Sequence, residues 1–271
     1  MKNPKNIVIT GASSGLGAAL AEFYASTGIT LHLQGRNRQR LEETAAACRS
    51  KGAAVHGELC DVTDAEATKN WLEKSDKISP IDLVIANAGI SAGTGIHGEG
   101  EAQLRGIFAV NIDGVVNTVE PLLPRMTARR RGQIAVMSSL AGFRGLPSCP
   151  AYSASKMCVR ALGEAWRGLY AAQGVEVSVI CPGYVKTPMT ADNDFPMPFM
   201  MNADKAAGII AKGLAKNKTR IVFPFALYFP LWLLSCLSPA LTDWLFSRLP
   251  GKASASPSGL RRIPPSRRER D

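Results

Sequence analysis

From Ile7 to Phe223 short apolar runs of strand length alternate with longer stretches whose apolar residues recur at helical spacing. The strand-like runs are Ile7–Thr10, Leu31–Gln34, Ala53–Glu58, Ile81–Ala86, Gln133–Met137, Val175–Ile180 and Arg220–Phe223. Helices are predicted over Gly15–Thr27, Arg38–Lys51, Asp64 toward Lys77, Glu101–Arg130, Tyr152–Gln173 and Ala203–Lys216. Gly28 stops the first helix, and Asp64 is a natural N-cap for the third. This alternation predicts βαβ units, hence an α/β fold with a doubly wound parallel sheet of about seven strands and helices on both faces. The strands read as apolar on both sides, as buried parallel strands do.

The rhythm stops at Phe223, which divides the chain into a 1–223 ligand-binding unit, a 224–250 apolar helical extension and a 251–271 basic tail. Ile221–Thr242 holds no charged residue, and Pro224, Pro230 and Pro239 argue against a straight membrane-crossing helix. About 225–249 therefore reads as a helical segment at a membrane interface, a subunit interface or a cover over a site, with a true span as the remaining alternative. Rich in Ser, Pro and Arg, the tail from Ala253 is expected to be disordered. Six Lys/Arg against Glu269 and Asp271 follow Gly251. Arginines 125, 129, 130 and 131 read as a solvated helix end. With no aromatic interleaving or reading module, the net charge of +10 does not imply nucleic acid.

The first strand begins six residues after Met1, which leaves no room for a signal peptide and predicts a cytoplasmic protein, with peripheral membrane attachment as an option. Six cysteines without a CxxC pair read as small buried hydrophobes. His32, His56 and His97 have no ligand spacing, so no metal site is expected.

Polar motifs follow the strands, where open parallel sheets bind ligands. Gly11, Gly15 and Gly17, with Ser13, Ser14 and Leu16 between them, form a glycine-rich turn from strand to helix, suited to a dinucleotide diphosphate at a helix N-terminus. After the second strand stand Arg36 and Arg38, without the carboxylate that would hold adenosine ribose hydroxyls. A guanidinium there suits the extra phosphate of NADP, the alternative being an ordinary solvated loop. Tyr152 and Lys156, four apart on a predicted helix, share a face. A fixed ammonium favours phenolate, so Tyr152 is expected to be acidified into a general acid/base, with Ser139 holding the reacting oxygen. Ser138 reads as structural.

Together these residues resemble the short-chain dehydrogenase/reductase family over roughly Lys5–Phe223, a Rossmann-type fold. The motifs run in order: Thr10–Gly17, Asp61-Val62, Asn87-Ala88-Gly89, Asn111, Ser139, Tyr152 with Lys156, and Pro182-Gly183 followed by Thr187. Ala86 stands where the family commonly has a first Asn. The resemblance implies that Asp61 and Val62 bracket adenine, and that Asn87, Ala88 and Gly89 line the ribose side. It implies that Lys156 holds the nicotinamide ribose hydroxyls and that Val185 and Thr187 contact the carboxamide after Pro182-Gly183. Asn111 would position a water behind Lys156, the alternative being a helix-kink residue.

The function expected is NADP(H)-dependent hydride transfer to or from a carbonyl/alcohol pair, in a homodimer or homotetramer. An apolar or lipid-like substrate is suggested by Met189, Phe195, Met197, Phe199, Met200 and Met201 in the stretch 184–202. These side chains serve equally as a lid or as the packed underside of a loop. An NAD-linked alcohol dehydrogenase and a non-catalytic nucleotide sensor or membrane scaffold are the alternatives.

Overall fold

A computed structural model describes residues 3–246, other than 95–97, 192 and 194. His97 and the tail from 251 lie outside the described residues. Seven strands, β1 (Asn6–Ile9), β2 (Thr30–Gly35), β3 (Ala54–Leu59), β4 (Leu83–Ala86), β5 (Gly132–Met137), β6 (Val175–Pro182) and β9 (Arg220–Phe223), form one all-parallel sheet. Its order is β3-β2-β1-β4-β5-β6-β9, so the winding reverses between β1 and β4. A two-strand ribbon, β7 (Val185–Lys186) with β8 (Met201–Asn202), stands apart, with the short helix α8 (Pro188–Ala191) between its strands in sequence.

Alternating side chains divide the core. Ile7, Ile9, Leu31, Leu33 and Ile85 face α1 (Gly15–Tyr24), α2 (Arg38–Ser50) and α9 (Ala203–Ala215). Val8, Val84, Ile134 and Val136 face α3 (Ala65–Ile78), α5 (Gly114–Val119), α6 (Leu123–Ala128) and α7 (Pro150–Ala171). Helices therefore cover both faces, as the alternation of strand and helix predicts. Asp64 caps α3 by accepting the Ala67 N–H at 3.0 Å. β4 starts two residues later than predicted, at a point where Asp82 instead accepts the backbone N–H groups of Lys5 and Asn6.

Three expectations need correction. The predicted helix 101–130 is broken into α4 (Glu101–Phe108), a π turn (Ala109–Asp113), α5 and α6. β3 is an edge strand rather than apolar on both sides, and Ala54, His56 and Leu59 are exposed. Cys48, Cys149 and Cys181 are buried, but Cys158 and Cys236 are exposed. Beyond β9 the apolar extension forms two helices, α10 (Phe225–Ser235) and α11 (Pro239–Phe246). No helix among the described residues is long and apolar enough to cross a membrane.

Candidate active site

The ends of β1, β2 and β4 are tied together by polar side chains at the reversal of the sheet. Gln34 accepts the Gly11 N–H at 3.0 Å and donates to the Cys60 carbonyl. Asn87 donates to the Thr10 carbonyl at 2.9 Å, and Thr10 Oγ1 accepts the N–H groups of Asn87 and Ala88. This holds the turn into α1. Gly15 adopts φ +57°, a left-handed conformation that a side chain disfavours. A Cβ on Gly17 would strike the Gly11 carbonyl oxygen and stand 2.6 Å from Asn87 Nδ2. Ser14 sits at the N-cap with extended backbone, and its hydroxyl accepts from none of the first amides of α1. Ser13 packs beside Gly35 and Leu16 rests on the core. Such a narrow, donor-rich turn fits a dinucleotide diphosphate.

Arg36 and Asp61, expected to serve opposite ends of an adenosine, meet in an ion pair of 3.1 Å. Asp61 also accepts from the Thr63 N–H and hydroxyl. Val62 is buried against Gly114, and Asn117 donates to its carbonyl. Asp61 and Val62 therefore fix the loop after β3.

α7 carries Tyr152 and Lys156 on the face toward the end of β5. Lys156 Nζ donates to the Met137 carbonyl at 2.9 Å and lies 5.8 Å from the centre of the Tyr152 ring. Ser138 Oγ donates to the Lys156 carbonyl at 2.7 Å, so its part is to clamp α7 to the sheet. Ser139 starts a 3₁₀ turn over Leu140–Gly142, accepts the Ala141 N–H at 3.1 Å and hydrogen-bonds the Tyr152 phenol.

The electrostatics differ from the expectation of a phenol acidified by its lysine. Burial pushes Tyr152 up to about 12, and the Ser139 hydrogen bond pulls only partly back. Lys156 is itself pushed down to about 8 by burial. Its amine is aimed at the Met137 carbonyl, and desolvation of both groups outweighs their mutual influence. The phenol therefore holds its proton at neutral pH, which suits it to act as an acid.

The lysine shift makes a stability prediction. Folded Lys156 titrates near 8 against an ordinary 10.5, so between these values the unfolded chain binds more protons and stability rises with pH. Tyr152 has the opposite sign but acts only above its ordinary 10.0. In urea denaturation over about pH 8–10, wild type should gain up to about 1.4 kcal/mol per pH unit relative to Lys156→Met. Parallel profiles would show that the amine is not desolvated.

Asn111 is buried in the π turn. Its amide donates to the Ile90 carbonyl and Ser155 Oγ, both at 3.0 Å, while its oxygen accepts the Ile90 N–H at 2.8 Å. The widened turn thus aims Asn111 at the loop after β4 and at α7 together. Gly89 lies between Asn111 and Lys156, where an added Cβ would stand a tight 3.2 Å from Asn111 Oδ1 and 3.3 Å from Lys156 Nζ.

After β6, Gly183 donates to the Phe223 carbonyl at 2.7 Å, and Pro182 accepts a long 3.5 Å hydrogen bond from Ser139. Val185 is buried in the ribbon, and Thr187 stands over Gly15, 3.1 Å from where a Cβ there would be. The loop that begins at Pro182 therefore closes over the glycine turn. Its apolar residues split: Phe195 packs edge-on against Tyr184, whereas Met189, Phe199 and Met200 are exposed.

Residues given no role of their own from sequence also build the site. Thr10 and Gln34 are polar positions at the ends of apolar strands, a signal that could have found them. Glu99 accepts the Ala151 N–H at 2.8 Å and so caps α7, but nothing in its spacing marks it.

Residues 5–195 match the model of the short chain dehydrogenase family. The chain belongs to the short-chain dehydrogenase/reductase family. It is 37% identical over 246 residues to an oxidoreductase of Myxococcus xanthus, covering 90% of this chain and 97% of that one. It is 32% identical over 220 residues to a ketoacyl reductase of Nostoc sp., covering 79% of this chain and 76% of that one. Among solved structures, it is similar to a short-chain dehydrogenase/reductase of Burkholderia phymatum in complex with NAD, with TM-score 0.76 and 25% identity over 93% of this chain and 98% of that one. The short-chain dehydrogenase/reductase described here is an oxidoreductase of the CH–OH/C=O pair.

Proposed function

We propose that this enzyme transfers a hydride between NADP(H) and the carbonyl/alcohol pair of an apolar, lipid-like substrate, with Tyr152 as the acid/base. The single observation that carries the reading is the Ser139–Tyr152–Lys156 cluster at the end of β5. The bound nicotinamide supplies or accepts the hydride. Gly11, Ser13, Ser14, Gly15, Leu16 and Gly17 would hold its diphosphate, with Asp61 and Val62 at the adenine and Asn87, Ala88 and Gly89 along the ribose. Lys156 would hold the nicotinamide ribose, and Pro182, Gly183, Val185 and Thr187 the carboxamide side.

In reduction, Ser139 donates a hydrogen bond to the carbonyl oxygen and Tyr152 passes its phenolic proton to that oxygen as charge develops. In oxidation the same two residues receive the alcohol, and the phenolate takes the hydroxyl proton. Asn111 keeps Ile90 and Ser155 in register, which holds Lys156 beside the phenol. The apolar substrate reading is supported by Met189, Phe199 and Met200 on the loop after β6 and by the ketoacyl reductase relative.

NADP over NAD rests on Arg36. Its ion pair with Asp61 is solvent-exposed and so contributes at most about 1 kcal/mol, which a phosphate dianion can outbid. Arg36→Ala should weaken NADPH binding roughly 10- to 100-fold by titration calorimetry, with little change for NADH. Equal losses for both would end the NADP reading and leave an NAD-linked dehydrogenase on the same residues.

A further inference from the structure

α10 is apolar on every side, yet none of its residues is buried. Leu227, Tyr228 and Leu231 lean on Leu140, Phe143 and Cys181, while Phe225, Phe229, Trp232 and Leu233 face outward. Leu237, Leu241 and Trp244 continue the exposed apolar surface through α11, with exposures along the whole set between 39% and 66%. The outward rings pack on one another, Phe225 on Phe229 at 5.8 Å and Phe229 on Trp232 at 6.1 Å. A helix apolar all round is ordinarily enclosed by protein or lipid. At 11 residues α10 spans roughly 16 Å, half of a hydrocarbon core, so it can lie on a bilayer but not cross it.

Charge selects the occupant. No Asp or Glu occurs from Ile221 to Thr242, and the 252–271 segment carries Lys252, Arg261, Arg262, Arg267, Arg268 and Arg270 against Glu269 and Asp271. A two-fold contact with a second copy would bring two such tails to one seam, with repulsion between them. An anionic headgroup layer instead attracts them while the aromatic face enters the headgroup boundary.

The surface also adjoins the site. Leu140 follows Ser139, and a Cβ on Gly183 would meet Pro224 at 3.0 Å, Leu227 at 3.2 Å and Leu140 at 3.4 Å. α11 is fastened to the same rim, since Arg144 donates to Asp243 at 2.9 Å and to Thr242 at 3.2 Å and lies over the Phe246 ring. We propose that the outward face of α10 and α11 docks on an anionic bilayer surface and sets the Ser139–Gly183 rim at the lipid boundary, where an apolar carbonyl substrate enters. The docking stands on the surface alone; the route of entry rests on the function proposed above.

The test uses the purified full chain and vesicles of phosphatidylcholine with roughly 30% phosphatidylserine, or of phosphatidylcholine alone. Sedimentation should show binding to the anionic vesicles at least about tenfold stronger than to neutral ones, weakened by salt. Tryptophan emission should shift to the blue as Trp232 and Trp244 enter the boundary. The F229E/L233E double variant should lose binding by about tenfold or more yet still reduce a water-soluble ketone, with a raised KM only for a long-chain carbonyl presented in vesicles. Absence of vesicle binding by wild type, or a light-scattering dimer that the double variant dissolves, would overturn the docking. Vesicle binding by a protein that reduces no carbonyl would keep the docking and overturn the entry route. Equal KM for wild type and variant on the embedded substrate would overturn that route alone.

Discussion

Tyr152→Phe is expected to lose about 10²- to 10⁴-fold in carbonyl reduction while binding NADPH almost as tightly as wild type. The substitution removes only the phenolic oxygen. The ring keeps its place beside Lys156, whose amine stays on the Met137 carbonyl, and Ser139 keeps the Ala141 N–H. Loss of turnover would therefore report loss of the proton donor rather than of the site. Because burial holds the phenol near 12, the proton is available across the neutral range. Reduction by wild type should accordingly show no falling limb from Tyr152 below about pH 9. Retained turnover in stopped-flow or steady-state assays of the purified variant would remove Tyr152 from the chemistry.

Gly17→Ala should damage the site from the cofactor side. The new methyl would meet the Gly11 carbonyl and, at 2.6 Å, Asn87 Nδ2. Neither can swing aside: the first is backbone, and Asn87 is held by Thr10. The start of α1 must shift, carrying with it the amides proposed to hold the diphosphate. Overpacking of this kind costs about 1–3 kcal/mol, a fall in melting temperature of roughly 3–10 °C at this size. NADPH affinity should fall on the order of 100-fold, because a displacement of about 1 Å spoils such positioning. Gly168→Ala is the matched control, since a Cβ there meets nothing within 4 Å and alanine favours the helix. A stable Gly17→Ala protein with wild-type affinity would show that the turn is looser than its contacts imply.

The fold was readable where physics acts locally. Buried parallel strands are apolar throughout, so β1, β4 and β5 stand out from their surroundings, and the edge strand β9, Arg220–Phe223, falls on its predicted bounds. Asp64 announces α3 through its own capping chemistry. Periodicity is blind, however, to the break at Asn111, whose π turn is stabilised by partners 21 and 44 residues away in sequence. It is equally blind to the place of β3 at the sheet edge, because order across a sheet depends on winding rather than composition.

The site divides in the same way. Spacing alone puts Tyr152 and Lys156 on one face, and the structure keeps them there. Spacing says nothing of how dry that face is, and burial reverses the expected direction of the phenol's shift. Arg36 was legible as a cation after β2, but its pairing with Asp61 joins two loops that no local pattern connects. Gln34 and Thr10 were visible as polar residues ending apolar strands, whereas Glu99 reaches the N-terminus of α7 across 52 residues and left no mark.

Hydride transfer itself is tested most directly by isotope. NADPH carrying deuterium at the transferable C4 position, incubated with wild type and a panel of apolar ketones, should place deuterium on the carbinol carbon of the product, and Tyr152→Phe should yield almost none. An enzyme that binds NADPH tightly but delivers no label to any carbonyl carbon, or a Tyr152→Phe variant that labels product as fast as wild type, would contradict the proposed chemistry.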